Sequence, residues 1–169
     1  MKRLLTVVFA FILSGLVLCL STHAQPGQTE GLTTQDLLVK GEVETAISML
    51  QAIDIKHQKG DMTLEQAKKL GADLLRELRY GSDGYFWADT TEGINVVHIR
   101  KGMEGRNRME DKDSKGIFYI KEFMIKAKDG GGYVNYWFPK KDQSVDQPKR
   151  AYVALFAPFG WVVGSGYYY

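Results

Sequence analysis

Between Leu78 and Trp87 the period of the hydrophobic pattern changes, and that change divides the chain into a helical first part and a strand-rich second part. Ahead of the joint, Val39, Val43, Ala46, Leu50 and Ile53 recur at steps of four and three, which predicts a helix from Thr33 or Thr34 to about Lys59. Gly41 is a weak spot within it, and Lys59-Gly60-Asp61 ends it. Thr63-Leu64-Glu65-Gln66 reads as a capping box opening a second helix. Leu64, Ala67, Leu70, Leu74, Leu75 and Leu78 are expected on its buried side.

Past the joint the pattern is that of strands. Tyr85–Asp89 and Ile94–Ile99 predict a hairpin turned at Thr90–Gly93, followed by a polar loop from Lys101 to Gly116. A third helix is expected over Phe118–Lys128, with Tyr119, Phe123 and Met124 or Ile125 turned inward. Tyr133–Phe138 begins a strand, Pro139–Pro148 a charged hairpin loop, and Arg150–Ala157 with Trp161–Tyr167 the last hairpin. The order predicts one α+β domain with an antiparallel sheet of about five strands and its helices segregated to one side.

The first residues are set apart from that domain. Lys2 and Arg3 precede an apolar run from Leu4 to Leu20, and Thr22-His23-Ala24 supplies small residues for cleavage before Gln25. This predicts a signal peptide over 1–24, a flexible leader over 25–33 and the domain over 34–169, hence a periplasmic location; an uncleaved membrane anchor is the competing reading. Lys2 and Arg3 also account for the excess of 22 Lys+Arg over 20 Asp+Glu, so the exported part carries 20 of each sign. A neutral domain gives no electrostatic case for nucleic acid. The single cysteine, Cys19, falls in the expected signal peptide, which removes disulfide and thiol chemistry from the domain.

The joint itself is unusual. Connections between helix and strand are ordinarily polar, yet Arg79 stands here among Tyr80, Tyr85, Phe86 and Trp87. Alternation places Tyr85 and Trp87 on one sheet face, where aromatic walls, hydroxyls and a fixed cation suit a small anion. The ordinary structural alternative is a core strand beside a solvated helix-end arginine. His98 is either a donor to a bound carboxylate or a strand residue with one satisfied nitrogen. Lys149 and Tyr152 have opposite parity, so both reach one pocket only if Lys149 lies at the mouth of its strand; otherwise Lys149 is a surface cation. Asp111-Lys112-Asp113-Ser114-Lys115 lacks the glycine and terminal glutamate of a calcium loop and reads as a solvated loop. Scattered histidines predict no metal site. No nucleophile–base motif or cofactor fingerprint is present, so neither an enzyme nor a cofactor is expected.

Taken together, these segments resemble a known family. Leu78-Arg79-Tyr80 with Gly84-Tyr85-Phe86-Trp87, then Val97-His98, Asp113-Ser114-Lys115-Gly116, Gly131-Gly132-Tyr133-Val134-x-Tyr136-Trp137, Lys149-Arg150-Ala151-Tyr152 and Phe159–Tyr168 are similar, in order, to the single Cache domain of the type called sCache 2. That family occurs in the extracytoplasmic sensor regions of bacterial chemoreceptors and sensor kinases. The resemblance implies a PAS-like fold in which a long N-terminal helix and a second helix pack on an antiparallel sheet. It implies non-covalent binding of a short organic acid, a C2–C4 carboxylate, by Arg79, Tyr85, Trp87, His98, Tyr136, Lys149 and Tyr152, with Lys149 or Arg79 as the counter-charge. No apolar run follows the leader that ends at Gly31, so the expected partner is a separate membrane receptor or kinase. A homodimer through the N-terminal helix fits the same picture. A module that binds no ligand and docks on a membrane receptor or envelope complex is the alternative function.

Overall fold

The computed structural model describes residues 31–169. The expected signal peptide, its cleavage site and most of the leader lie outside the described residues. Helix α1 (Thr34–Gln58) opens with Thr33 as N-cap, its hydroxyl accepting from the Asp36 amide while the Asp36 carboxylate accepts from the Thr33 amide. Gly41 does not interrupt it. The capping box at Thr63 and Gln66 forms as read and starts α2 (Leu64–Glu77). Among the described residues no helix is long and apolar enough to cross a membrane.

Strands β1 (Arg79–Tyr80), β2 (Gly84–Thr90), β3 (Asn95–Val97), β4 (Gly132–Pro139), β5 (Asp146–Phe156) and β6 (Trp161–Tyr168) form an antiparallel sheet in the order β1-β2-β6-β5-β4, with β3 paired to β2. Helix α3 (Tyr119–Lys128) precedes β4. The fold is α+β and PAS-like, with the long helix α1 at its start. Period-2 alternation splits the sheet residues between two cores. Phe86, Ala88, Tyr152, Phe156, Trp161 and Val163 pack with Val39, Val43, Leu50, Ala67 and Leu75 of α1 and α2. Tyr85, Trp87, Val134, Tyr136, Phe138, Ala151 and Val153 pack with Tyr119, Ile120 and Phe123 of α3.

Three sequence readings are corrected here, and one alternative is resolved. The helices are not segregated to one side: α3 covers the sheet face opposite α1 and α2. Helix α2 buries Ala67 and Leu75 as expected but not three of its other leucines: Leu64, Leu70 and Leu74 are 38%, 38% and 40% exposed, while Gly71 and Ala72 are buried. The cause is close approach: a Cβ at Gly71 would lie 2.8 Å from a Leu50 methyl and 3.2 Å from the Phe159 ring, so small residues form the contact beside Leu75, and Leu64, Leu70 and Leu74 are turned outward. Of the two inward candidates on α3, Ile125 is exposed and Met124 half-buried. Finally, β5 starts at Asp146, so the β4–β5 loop is shorter than Pro139–Pro148 and Lys149 sits inside the strand, paired with Tyr136 and Tyr168.

Candidate functional site

The α3 face of the sheet carries a buried lysine. Lys149 points from β5 into that face and is fully buried, although β5 begins three residues earlier. Its Nζ donates to the Tyr85 hydroxyl at 2.7 Å. It lies over the rings of Tyr85 (4.4 Å), Trp87 (4.6 Å), Tyr168 (5.0 Å), Phe138 (5.5 Å) and Tyr136 (5.9 Å). Register brings these together: Lys149 opposes Tyr136 on one side and Tyr168 on the other, while Tyr85 and Trp87 come from β2, two strands away. A well-placed ring face offsets about 0.5–2 kcal/mol of a buried cation's desolvation, but it supplies no counter-charge. Burial, with the charge of Arg108 acting alongside it, therefore holds Lys149 well below the ordinary ammonium range.

Other polar groups converge on the cage. The Trp87 indole N–H is buried without a hydrogen-bond partner, a donor available to a ligand. Gly164 makes room for that ring, since a Cβ there would lie 2.6 Å from it. His98 follows β3, with its ring 6.0 Å from that of Tyr85 and 5.7 Å from that of Phe138. Its Nδ1 accepts from the Arg100 amide at 3.0 Å, which places the proton of the neutral ring on Nε2. Burial first, then the charges of Arg108, Lys149 and Arg100, push His98 down to about 2, so it is neutral at physiological pH. The hydroxyls of Tyr85 and Tyr136 are pushed well above their usual range by burial and stay protonated.

A buried ion pair braces one wall. Arg108 donates to Asp89 at 3.0 and 3.3 Å, Asn95 donates to the same carboxylate at 2.9 Å, and Arg108 reaches the Tyr119 hydroxyl at 3.5 Å. Tyr119 in turn stacks on Tyr136 at 4.9 Å between centroids. Nearby, Asp113 is buried rather than solvated. Its carboxylate accepts from the amides of Lys115, Ile117 and Trp137 at 2.8, 2.8 and 2.9 Å, fastening the long loop to β4. No group of three or more metal-ligating side chains occurs among the described residues.

Of the seven sequence candidates, the structure brings five together: Tyr85, Trp87, His98, Tyr136 and Lys149. Tyr152 is not among them. With Lys149 inside the strand, the opposite parity of Tyr152 puts it on the α1 side, edge-on to Tyr133. Arg79 is exposed and donates to the carbonyls of Arg76 and Leu78 at the end of α2. It lines instead an outer cavity of about 330 Å³ shared with Tyr85, Tyr168, Ile99 and Lys140. Lys149 and Trp87 do not line that cavity, and Tyr85 and Tyr168 stand between it and the cage. Sequence reasoning missed Tyr168 and Phe138 as walls, although both share the parity of their neighbours in the cage. It also missed the Asp89–Arg108 pair, whose partners lie 19 residues apart with no local signal.

Known proteins resemble this chain in sequence and in fold. The family model described as Single Cache domain 2 matches residues 33–169. The chain is 27% identical over 167 residues to the methyl-accepting chemotaxis protein McpP of Pseudomonas putida, covering 98% of this chain and 30% of that protein. It is 33% identical over 138 residues to the sensor histidine kinase MctS of Rhizobium johnstonii, covering 81% of this chain and 29% of that protein. The chain thus spans under a third of the length of these curated relatives. A solved periplasmic sensor domain of a chemotaxis protein superposes with TM-score 0.76 at 30% identity, over 78% of this chain and 93% of that one. A Cache chemosensory domain solved to show the structural basis for carboxylic acid recognition superposes with TM-score 0.75 at 32% identity, over 81% and 99%.

Proposed function

Since the chain belongs to the single Cache domain family, whose members among the relatives are parts of chemoreceptors and sensor kinases, we propose that it is a periplasmic sensor domain for a short organic acid of two to four carbons. The observation that carries this reading is Lys149, a fully buried cation-forming group with one hydroxyl partner and a cage of rings around it. A carboxylate entering the cage meets Lys149 as counter-charge, the Trp87 indole N–H and His98 Nε2 as further donors, and the rings of Tyr85, Tyr136, Phe138 and Tyr168 as a limit on length. That a structurally similar Cache domain recognises a carboxylic acid supports it. Arg79 takes the outer cavity in this reading, where it attracts the anion without seating it. The ligand state passes to a membrane partner, and the exposed Leu37 and Leu38 of α1 are where a second copy would pack.

Titration calorimetry with acetate, propionate, lactate, pyruvate and butyrate tests the proposal. Binding of at least one acid is expected, with Lys149→Ala weakening it by about 1.5–3 kcal/mol. No heat from any of them would overturn the carboxylate reading. One observation favours a second function, that of a ligand-free docking module: the cage is closed by its own side chains, with the Tyr85 hydroxyl on Lys149. That alternative expects no acid to bind and a membrane receptor to be captured by Lys149→Ala as well as by the native chain.

A further inference from the structure

Among the described residues the two buried cationic side chains are Arg108 and Lys149; Arg108 is paired with Asp89, whereas Lys149 faces no carboxylate. Among the described residues it makes no ion pair within 4.0 Å, and its single polar partner is a phenol. The elements around it present Tyr85 from β2, His98 after β3, Tyr136 from β4 and Tyr168 from β6. The phenols are held protonated by burial, and His98 is neutral. Arg108 and Arg100 act on the cage as positive charges, although the buried carboxylate of Asp89 is committed to Arg108. Asp83, on the turn before β2, is the one carboxylate whose field favours the ammonium, and it is solvent-exposed and shared with Lys140. Such surroundings, burial first and then the charge of Arg108, disfavour the ammonium form of Lys149.

We infer that the site takes up a carboxylate together with one proton, so that the species it measures is in effect the undissociated weak acid. This rests on the carboxylate reading proposed above. The incoming anion is the missing counter-charge: the amine accepts a proton from solvent as the carboxylate arrives, and the product is a carboxylate–ammonium pair in place of a neutral amine. No covalent bond forms or breaks other than the N–H bond. The arrangement also selects the ligand class. A monocarboxylate balances the single new charge, whereas an amino acid brings a second ammonium into a cage that already faces Arg108.

The sign of the pH dependence follows from linkage. Lys149 has a lower pKa without ligand than with it, so lower pH favours the complex. Affinity is constant below the ligand-free pKa and falls tenfold per pH unit up to the ligand-bound pKa.

Two measurements on the full chain test the inference. Carbon-13 NMR of the lysine Cε resonances, with Lys149 assigned by its loss in both Lys149→Met and Lys149→Gln, should show Lys149 titrating below every other lysine in the absence of ligand. Calorimetry with acetate and with propionate at pH 6, 7, 8 and 9, in phosphate and in Tris, should show a proton taken up on binding and affinity that falls toward tenfold per pH unit. Titration of Lys149 together with the surface lysines would overturn the inference. Binding with no proton uptake and a flat pH profile would overturn it alone and leave the carboxylate reading standing. Failure of both acids to bind at every pH would overturn the two together.

Discussion

Removal of Arg108 tests whether the ion pair beneath the cage holds it together. Arg108 is 2% exposed and Asp89 fully buried, so Arg108→Met leaves a carboxylate in the interior with Asn95 as its remaining side-chain donor. Breaking a buried pair in this way costs about 3–5 kcal/mol. Protonation sets a ceiling, because Asp89 escapes its unpaired charge by taking a proton. For a carboxyl with an unfolded-state pKa of about 3.9, that costs roughly 4.2 kcal/mol at pH 7 and roughly 1.5 kcal/mol at pH 5. Burial already pushes the Asp89 carboxyl upward, and Arg108 and Asn95 oppose it; without Arg108 it rises further. A carboxyl with its folded-state pKa raised loses stability as pH rises above the unfolded value, so the variant gains relative stability on acidification. The expected loss is about 3–4 kcal/mol at pH 7, or roughly 10–16 °C in Tm for a domain of this size, shrinking to about 1.5 kcal/mol at pH 5. Urea unfolding at both pH values measures it. Asp89→Asn combined with Arg108→Met should recover about 2 kcal/mol at pH 7, giving a coupling energy by double-mutant cycle. A pH 7 loss under about 1 kcal/mol, or an equal loss at pH 5, would refute the reasoning.

Gly164→Ala drives a methyl group to 2.6 Å from the Trp87 ring and should cost about 1–3 kcal/mol by overpacking, with a changed near-ultraviolet circular dichroism spectrum; an unchanged spectrum and Tm would count against the close contact. Tyr152→Phe should leave acid binding within a factor of two, since Tyr152 lies on the opposite sheet face, and a tenfold loss by calorimetry would reject that placement. Asp36 accepts from Arg150 Nε at 2.6 Å and from the Tyr167 hydroxyl at 3.2 Å. Burial raises its carboxyl, but bonds from Thr33 and Arg150 prevail and hold it below its ordinary value. That contribution is present above about pH 3.9 and lost as pH falls through the folded-state pKa. Asp36→Asn should therefore lose about 1 kcal/mol at pH 7 and converge on the native chain in acid unfolding; parallel curves down to pH 2 would contradict it.

The site was legible where local pattern and parity suffice. Tyr85 and Trp87 share a face because they are two apart in a strand, and the same rule separates Lys149 from Tyr152 once β5 is known to begin before Lys149. It was illegible where the cause is not local. Nothing near Asp89 announces Arg108, and of the two readings of Arg79 only the structure chose the helix end, where its guanidinium reaches the carbonyls of Arg76 and Leu78. Leu64, Leu70 and Leu74 misled because amphipathicity identifies a face without saying how near the neighbouring helix comes.

By itself the sequence determined the order of the helices and main strands, the capping box of α2, the hairpins and the sheet face on which the aromatic side chains stand, since these depend on contacts within a few residues. Tertiary structure alone decided that α3 closes the face opposite α1 and α2. It also decided that Lys149 is buried without a counter-charge and that Tyr168 and Phe138 complete its surroundings. The physical reason is that burial and electrostatics are set by residues distant in sequence: the protonation state of an amine depends on what surrounds it, and here the rings arrive from β2, β4 and β6 while the charges of Arg108 and Asp83 come from a loop and a turn.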